Sequence, residues 1–199
     1  AEEVVVELDD LAMAGGRFAV AQSATPADDG VPTPDGRLAF DERGIDRVAF
    51  QVSTNPGEPL LPLAAVASGG ETARIMLALK RILTAADRIP TLVFDEVDAG
   101  IGGRIGGVVG RKLWQLGRRH QVLCVTHLPQ VAVYADVHFQ VRKAADGGRT
   151  RTVVDRLDAP DRLLEVAAML GAATDAGRLN AADLLATTGA WKAEQVGSG

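Results

Sequence analysis

Two apolar runs, TLVFD at 91–95 and QVLCVT at 121–126, restrict the fold of this chain more than any other feature. Each is short, β-prone and bounded by turn-forming residues, so each reads as a buried strand. The stretch between them carries a helical pattern near 103–118. Strand, helix, strand at this spacing is a βαβ unit, whose strands are parallel and whose crossover is right-handed. The polar ends of both strands, Asp95-Glu96 and Thr126-His127, must then emerge on the same edge of the sheet. In open α/β sheets that edge is where ligands bind.

The remaining chain supplies elements for an α/β fold around that unit. Residues 2–13, with Val4, Val5, Leu8 and Leu11 set among acids, read as a helix stopped by Gly15-Gly16. RFAVAQS (17–23) and DRVAFQVST (46–54) alternate apolar with polar and read as antiparallel strands. Between them, ATPADDGVPTPDG is dense in Pro, Asp and Gly and reads as a loop without order of its own. ETARIMLALKRILTAADR (71–88) reads as a helix stopped by Pro90. HFQVRK and RTRTVVDRL flank AADGG as a hairpin, and two Ala/Leu-rich helices follow near 160–170 and 176–187.

Composition narrows the function classes. The 199 residues are 47% hydrophobic, enough for one substantial core, but only 4% aromatic, so that core is built from Val, Leu, Ile and Ala. A net charge of −5 argues against a large DNA footprint, although a local basic patch stays compatible with it. The single cysteine, Cys124, rules out a disulfide framework. No apolar run approaches the length of a membrane span and the first residues carry no basic signal, so a cytoplasmic protein with no membrane partner is expected.

Three places carry chemistry. In ASGGE (67–71), Ser68 and Glu71 have the spacing of a capping box. Capping does not account for Gly69 and Gly70 in the first helical turn, where each costs up to about 1 kcal/mol relative to alanine. Bare glycines let an anion reach the free N–H groups at the positive end of a helix. Asp95 and Glu96 could be a solvated strand end. As adjacent acids at a buried strand's exit they point to opposite sides, so one can serve a metal and the other a water. In phosphoryl transfer those are the magnesium-associated acid and the group that orients the attacking water. His127 follows an entirely apolar strand and is drawn toward the acids by the βαβ geometry.

Other features are assigned bland roles. His120 and His138 are read as ordinary surface or edge residues, and no His/Cys spacing suits zinc. The glycines at 100, 102, 103, 106, 107 and 110 fail the dinucleotide-binding spacing, because the sixth position is Ile105, and are expected to line a close helix–sheet contact. Arg118-Arg119 and the hairpin cations Arg142, Lys143, Arg149 and Arg151 are expected to be solvated. No phosphate-binding loop of the form G-x-x-x-x-G-K-[ST] occurs anywhere in the chain.

In order, SGGE before a helix, TLVFDE on a strand and VTH on the next resemble the signature motif, Walker B strand and switch-histidine strand of an ABC-type ATPase head. The longer stretches VSTNPGEPLLPLAAVASGGETARIMLALK, FDEVDAGIGG and VLCVTHLPQVAVYAD resemble the RecN family of SMC-like bacterial DNA-repair ATPases, over roughly residues 46–143. The resemblance implies the C-terminal lobe of an ABC/SMC-type P-loop ATPase head. Its sheet would be mostly parallel and flanked by helices, with an antiparallel N-terminal strand pair and a C-terminal hairpin. Residues 1–16 would end a coiled-coil arm and 17–199 would form the half-head. The missing Walker A loop would lie in an N-terminal lobe of the same protein.

Carried over by motif, Asp95 would associate with Mg2+ through water, Glu96 would be the catalytic base, and His127 would contact the γ-phosphate. Ser68, Gly69, Gly70 and Glu71 would grip the ATP of the opposite protomer. Asp98, Ala99, Gly100, Ile101 and Gly102 would form a loop crossing the dimer interface, with Gly102 where the wider family pattern carries an aspartate. The implied partners are the N-terminal lobe, a second head and DNA, at the nucleoid. Two other readings remain. A transporter-type cassette would carry a contiguous N-terminal lobe and no arm helix at 1–13. A non-catalytic α/β interaction domain would not be expected to keep Ser68, Asp95, Glu96 and His127 intact.

Overall fold

The computed structural model describes every residue except 35, 67, 85–87, 147, 148, 172, 173, 198 and 199, together with the side chains of 145, 146 and 149. Ala67 of the ASGGE stretch, the expected hairpin turn at 147–148 and positions 85–87 of the expected helix 71–88 lie outside the described residues. The chain divides into two compact units, residues 1–82 and 83–199.

In the first unit, helix α1 (Glu2–Asp10) buries Val4 and Leu8, one turn apart on the same face. It ends where Ala12 takes a left-handed φ of 64° and Asp9 accepts a hydrogen bond from the Gly15 amide at 3.1 Å. Strand β1 (Arg17–Ser23) pairs antiparallel with β4 (Arg47–Ser53) from Arg17↔Ser53 to Ser23↔Arg47, as the alternation requires. Phe18 and Phe50 fall on one face of that pair, with ring centroids 5.5 Å apart. A two-residue strand β5 (Leu61–Pro62) completes the order β1-β4-β5. Helix α2 (Gly69–Leu83) buries Ile75, Leu77, Ala78 and Leu79. Arg81 pairs with Glu7 at 2.5 Å and so ties α2 to α1.

The segment expected to be a loop is instead a hairpin, β2 (Pro26–Thr33) and β3 (Gly36–Leu38). Its residues are poor strand formers, and the pairing is irregular: Pro26 and Val31 both oppose Leu38. Two glycines make it feasible. Gly36 turns with φ +124°, and Gly30 lies so close to Leu38 that a Cβ there would stand 2.2 Å from its carbonyl oxygen.

In the second unit, β6 (Thr91–Phe94), α3 (Gly103–Leu116) and β7 (Gln121–Cys124) form the expected βαβ unit, parallel in register from Thr91↔Gln121 to Phe94↔Cys124. Leu92 and Phe94 are buried on one face of this pair. The other face leaves Val93 69%, Leu123 48% and Val125 62% exposed. After the short helix α4 (Pro129–Ala132), the strands β8 (Phe139–Asp146) and β9 (Arg149–Arg156) pair as the expected hairpin.

Helix α5 (Ala159–Met169) is N-capped by Asp158, which accepts from the Asp161 amide at 3.0 Å. It packs with α6 (Asp175–Gly197) around Val133, Val166, Ala167 and Ala181. Trp191 of α6 meets Trp114 and Tyr134 edge-on at 5.3 and 5.5 Å.

One expectation is met in part and two are corrected. Among the described residues the expected mostly parallel sheet is present only as the one parallel pair β6–β7, beside the expected antiparallel β1–β4 pair and β8–β9 hairpin. Parallel neighbours need a crossover connection, and among the described residues one such pair is present; the other paired strands run antiparallel. Gly103, Gly106 and Gly110 of α3 face α4 and its flanking residues, not the sheet: a Cβ at Gly106 would meet Leu128 at 3.1 Å, and one at Gly110 would meet Tyr134 at 2.4 Å, while Gly107 faces open space. His120 is buried at 7% exposure, and its ring approaches the Ile89 carbonyl at 2.7 Å, a structural role that its polar neighbours Arg119 and Gln121 hid.

Candidate functional site

The C-terminal end of the β6–β7 pair gathers four of the expected residues. The ladder runs on past the strands, with the Val125 amide donating to the Phe94 carbonyl at 2.9 Å, and then the two chains diverge. Asp95 is exposed, and its Oδ1 accepts from the Glu96 amide at 2.9 Å. Glu96 is exposed and holds φ at 57°. A left-handed backbone costs a non-glycine residue roughly 1–2 kcal/mol, and such residues gather at functional sites.

The chain then turns inward. Val97 is fully buried and Asp98 is 3% exposed. A tight turn follows, with the Ala99 amide donating to the Glu96 carbonyl at 2.9 Å and Gly100 at φ 74°. Ala99 and Ile101 are half-buried, and Gly100 and Gly102 are exposed. Gly102 is the N-cap of α3 and brings no side-chain hydrogen bond to it.

Asp98 joins the two strand ends. Its Oδ2 accepts from Thr126 Oγ1 at 2.5 Å, from the His127 amide at 2.9 Å and from the Leu128 amide at 3.3 Å. The same oxygen lies 3.1 Å from Nδ1 of His127, whose side chain is 73% exposed. Burial alone would raise the Asp98 pKa. The hydrogen bonds from Thr126 and from the His127 amide, with the charge of the His127 ring, reverse that and hold the carboxyl below its ordinary value. The Cys124 thiol is pushed up to about 12, first by burial and then by the charges of Asp98 and Asp95.

The histidine loop is held from behind. Arg162 Nη2 donates to the carbonyls of Ala132, Val133 and Ala135 at 3.3, 2.9 and 2.8 Å, closing the C-terminal end of α4. Sequence reading missed this clamp and missed the inward turn of Asp98. Neither has a local signal, since each depends on a partner about 30 residues away in the chain.

The SGGE motif lies in the first unit. Ser68 Oγ accepts from the Glu71 amide at 3.3 Å, one bond of the capping box, and the Thr72 hydroxyl donates to the Ser68 carbonyl at 2.9 Å. Gly69 is exposed and Gly70 is buried. Arg74, one turn on, is buried, which lowers its pKa, while Glu71 acts to raise it.

No group of three or more His, Cys, Asp or Glu among the described residues could cage a metal. Asp95 nevertheless offers an exposed hard oxygen donor. Magnesium is commonly held by one or two carboxylates, with waters and substrate phosphates completing its shell, and this donor set fits that arrangement.

No family model matches the sequence. Among solved structures, the chain is similar to the Smc head domain with a coiled coil and joint from Pyrococcus yayanosii, with a TM-score of 0.53 and 19% identity over 83% of this chain and 28% of that one. It is similar also to the Smc head domain with an extended coiled coil from Pyrococcus furiosus, with a TM-score of 0.50 and 19% identity over 82% of this chain and 36% of that one. The fold is therefore that of part of an SMC-type head.

Among curated proteins, the chain is 43% identical over 164 residues to the DNA repair protein RecN of Xylella fastidiosa (strain 9a5c), covering 82% of this chain and 28% of the relative. It is 43% identical over 197 residues to the DNA repair protein RecN of Mycobacterium tuberculosis (strain H37Rv), covering 94% and 33%. Over the region it spans the chain is similar to RecN proteins, and that region is a third or less of the length of these relatives.

Proposed function

We propose that this chain is the C-terminal half-head of an SMC-like ATPase acting in DNA double-strand break repair and recombination, in the bacterial cytoplasm at the nucleoid. The observation that carries the reading is the meeting of Asp95, the strained Glu96, Asp98 and His127 at the C-terminal end of one parallel strand pair. In this reading Asp95 holds Mg2+, partly through water, and the metal supplies charge neutralisation at the phosphates. Glu96 accepts a proton from the attacking water, and His127 hydrogen-bonds the γ-phosphate. Ser68, Gly69, Gly70 and Glu71 receive the ATP of an opposing head at the N-terminal end of α2. The turn from Asp98 to Gly102 lies at the interface between heads.

The chain carries no phosphate-binding loop, so it requires an N-terminal lobe that supplies one. The exposed apolar face of Val93, Leu123 and Val125 supports this, since a face of that kind is normally covered. Residues 1–16 would belong to the arm and 17–199 to the half-head; DNA would be bound by the assembled protein.

The test is Glu96→Gln in a head reconstituted with the N-terminal lobe. ATP binding is retained and turnover falls by about 10²-fold or more, the scale of a lost general base. An unchanged rate would move the base elsewhere.

A further inference from the structure

Asp98 is nearly inaccessible to solvent, yet one oxygen of its carboxylate gathers the Thr126 hydroxyl, the His127 and Leu128 amides and the His127 ring. A carboxylate only accepts, so a proton on the ring nitrogen 3.1 Å away is the arrangement that this close contact favours. When one imidazole nitrogen is engaged in this way, the state of the other is decided by it. We propose that Asp98 is a positioning residue for His127: its carboxylate holds the imidazole with Nδ1–H turned inward and Nε2 turned to solvent.

The geometry has two parts that act together. The amide bonds fix the backbone at 127–128, and the ring contact fixes the side chain on that backbone. An exposed histidine without such a partner would sample several rotamers and both tautomers. Held so, the ring would present one defined atom, Nε2, at the end of the strand pair that also carries Asp95 and Glu96. Resting on the function proposed above, that atom is the one that meets a γ-phosphate oxygen. When the ring meets an anion there it can be doubly protonated, with the charge on its inner side balanced by Asp98. The carboxylate of Asp98 therefore works within its own chain and does not reach across to a second head.

The chain has three histidines, so ring 15N spectra of histidine-labelled protein can be assigned with His127→Gln. In wild type, above the pH at which the ring loses its charge, His127 should be the Nδ1–H tautomer. In Asp98→Asn, which keeps the shape but offers an amide, the population should move toward Nε2–H, with the amide spectrum showing the fold retained. A wild-type ring in the Nε2–H form would overturn the proposal, and so would identical tautomers in a folded Asp98→Asn. If that variant fails to fold, the wild-type tautomer alone decides.

A kinetic arm separates this proposal from the reading beneath it. In the reconstituted head, Asp98→Asn should lower kcat about 10- to 100-fold, the scale known for partners that orient a working histidine. Added to His127→Ala it should cause no further loss, because both act through one ring. Multiplying losses would overturn the positioning role. A wild-type head without ATPase activity would overturn the proposed function, and the tautomer would still decide the placement of the ring.

Discussion

Asp98 shows how much one buried carboxylate can organise. Burial would raise its pKa, but the Thr126 and His127-amide hydrogen bonds are stronger to the ionised group and outweigh it, so its folded pKa lies below the unfolded value of about 3.9. A depressed carboxyl contributes stability that is fully present above the unfolded pKa and is lost as pH falls through the folded one. Asp98→Asn should therefore be less stable than wild type near neutrality, by about 1.5–3 kcal/mol for hydrogen bonds to a charged group. The gap should close as pH falls below about 4. Melting temperatures of both proteins from pH 3 to pH 7 would check this, and a gap independent of pH would show that the charge contributes nothing. Nothing local in VDAGIGG announces the inward turn: it became visible only once the parallel register set Thr126 and His127 beside it.

At the scale of elements, most of what was periodic was legible. The alternation in RFAVAQS and RVAFQVS, the paired apolar runs at 91 and 121 and the hairpin from 139 to 156 all appear with their expected partners. What was not legible depends on close approach instead of pattern. The β2–β3 hairpin rests on Gly30 and Gly36, and α4 is one turn held by Arg162 from outside its own sequence.

Helix α3 turns this into opposite predictions for two neighbouring glycines. Gly110→Ala would drive a Cβ to 2.4 Å from the Tyr134 ring and 3.0 Å from the Gln130 carbonyl, and should destabilise by about 1–3 kcal/mol. Gly107→Ala meets nothing within 4 Å and should stabilise by up to about 1 kcal/mol through helix propensity. Urea denaturation of the two variants would read both signs. Ser68→Asp belongs to this scale as well: aspartate caps a helix as well as serine does, so the melting temperature should hardly move.

At the scale of the whole molecule, the same Ser68→Asp change has a different reading. If α2 receives a phosphate from an opposing head, a carboxylate at Ser68 faces that phosphate in a partly desolvated interface, where like charges cost several kcal/mol. ATP-dependent dimerisation of the reconstituted head, followed by light scattering in a Glu96→Gln background, should be abolished while the fold is kept. Heads that still dimerise would leave Ser68 with its cap alone. The central claim is that this chain carries half of an ATP site, and ATPase activity of the purified chain, with and without an equimolar N-terminal lobe, tests it most directly. The account predicts no turnover by the chain alone and turnover, lost with Glu96→Gln, once the lobe is added. Turnover near one per second by the chain alone, abolished by Glu96→Gln, would contradict it.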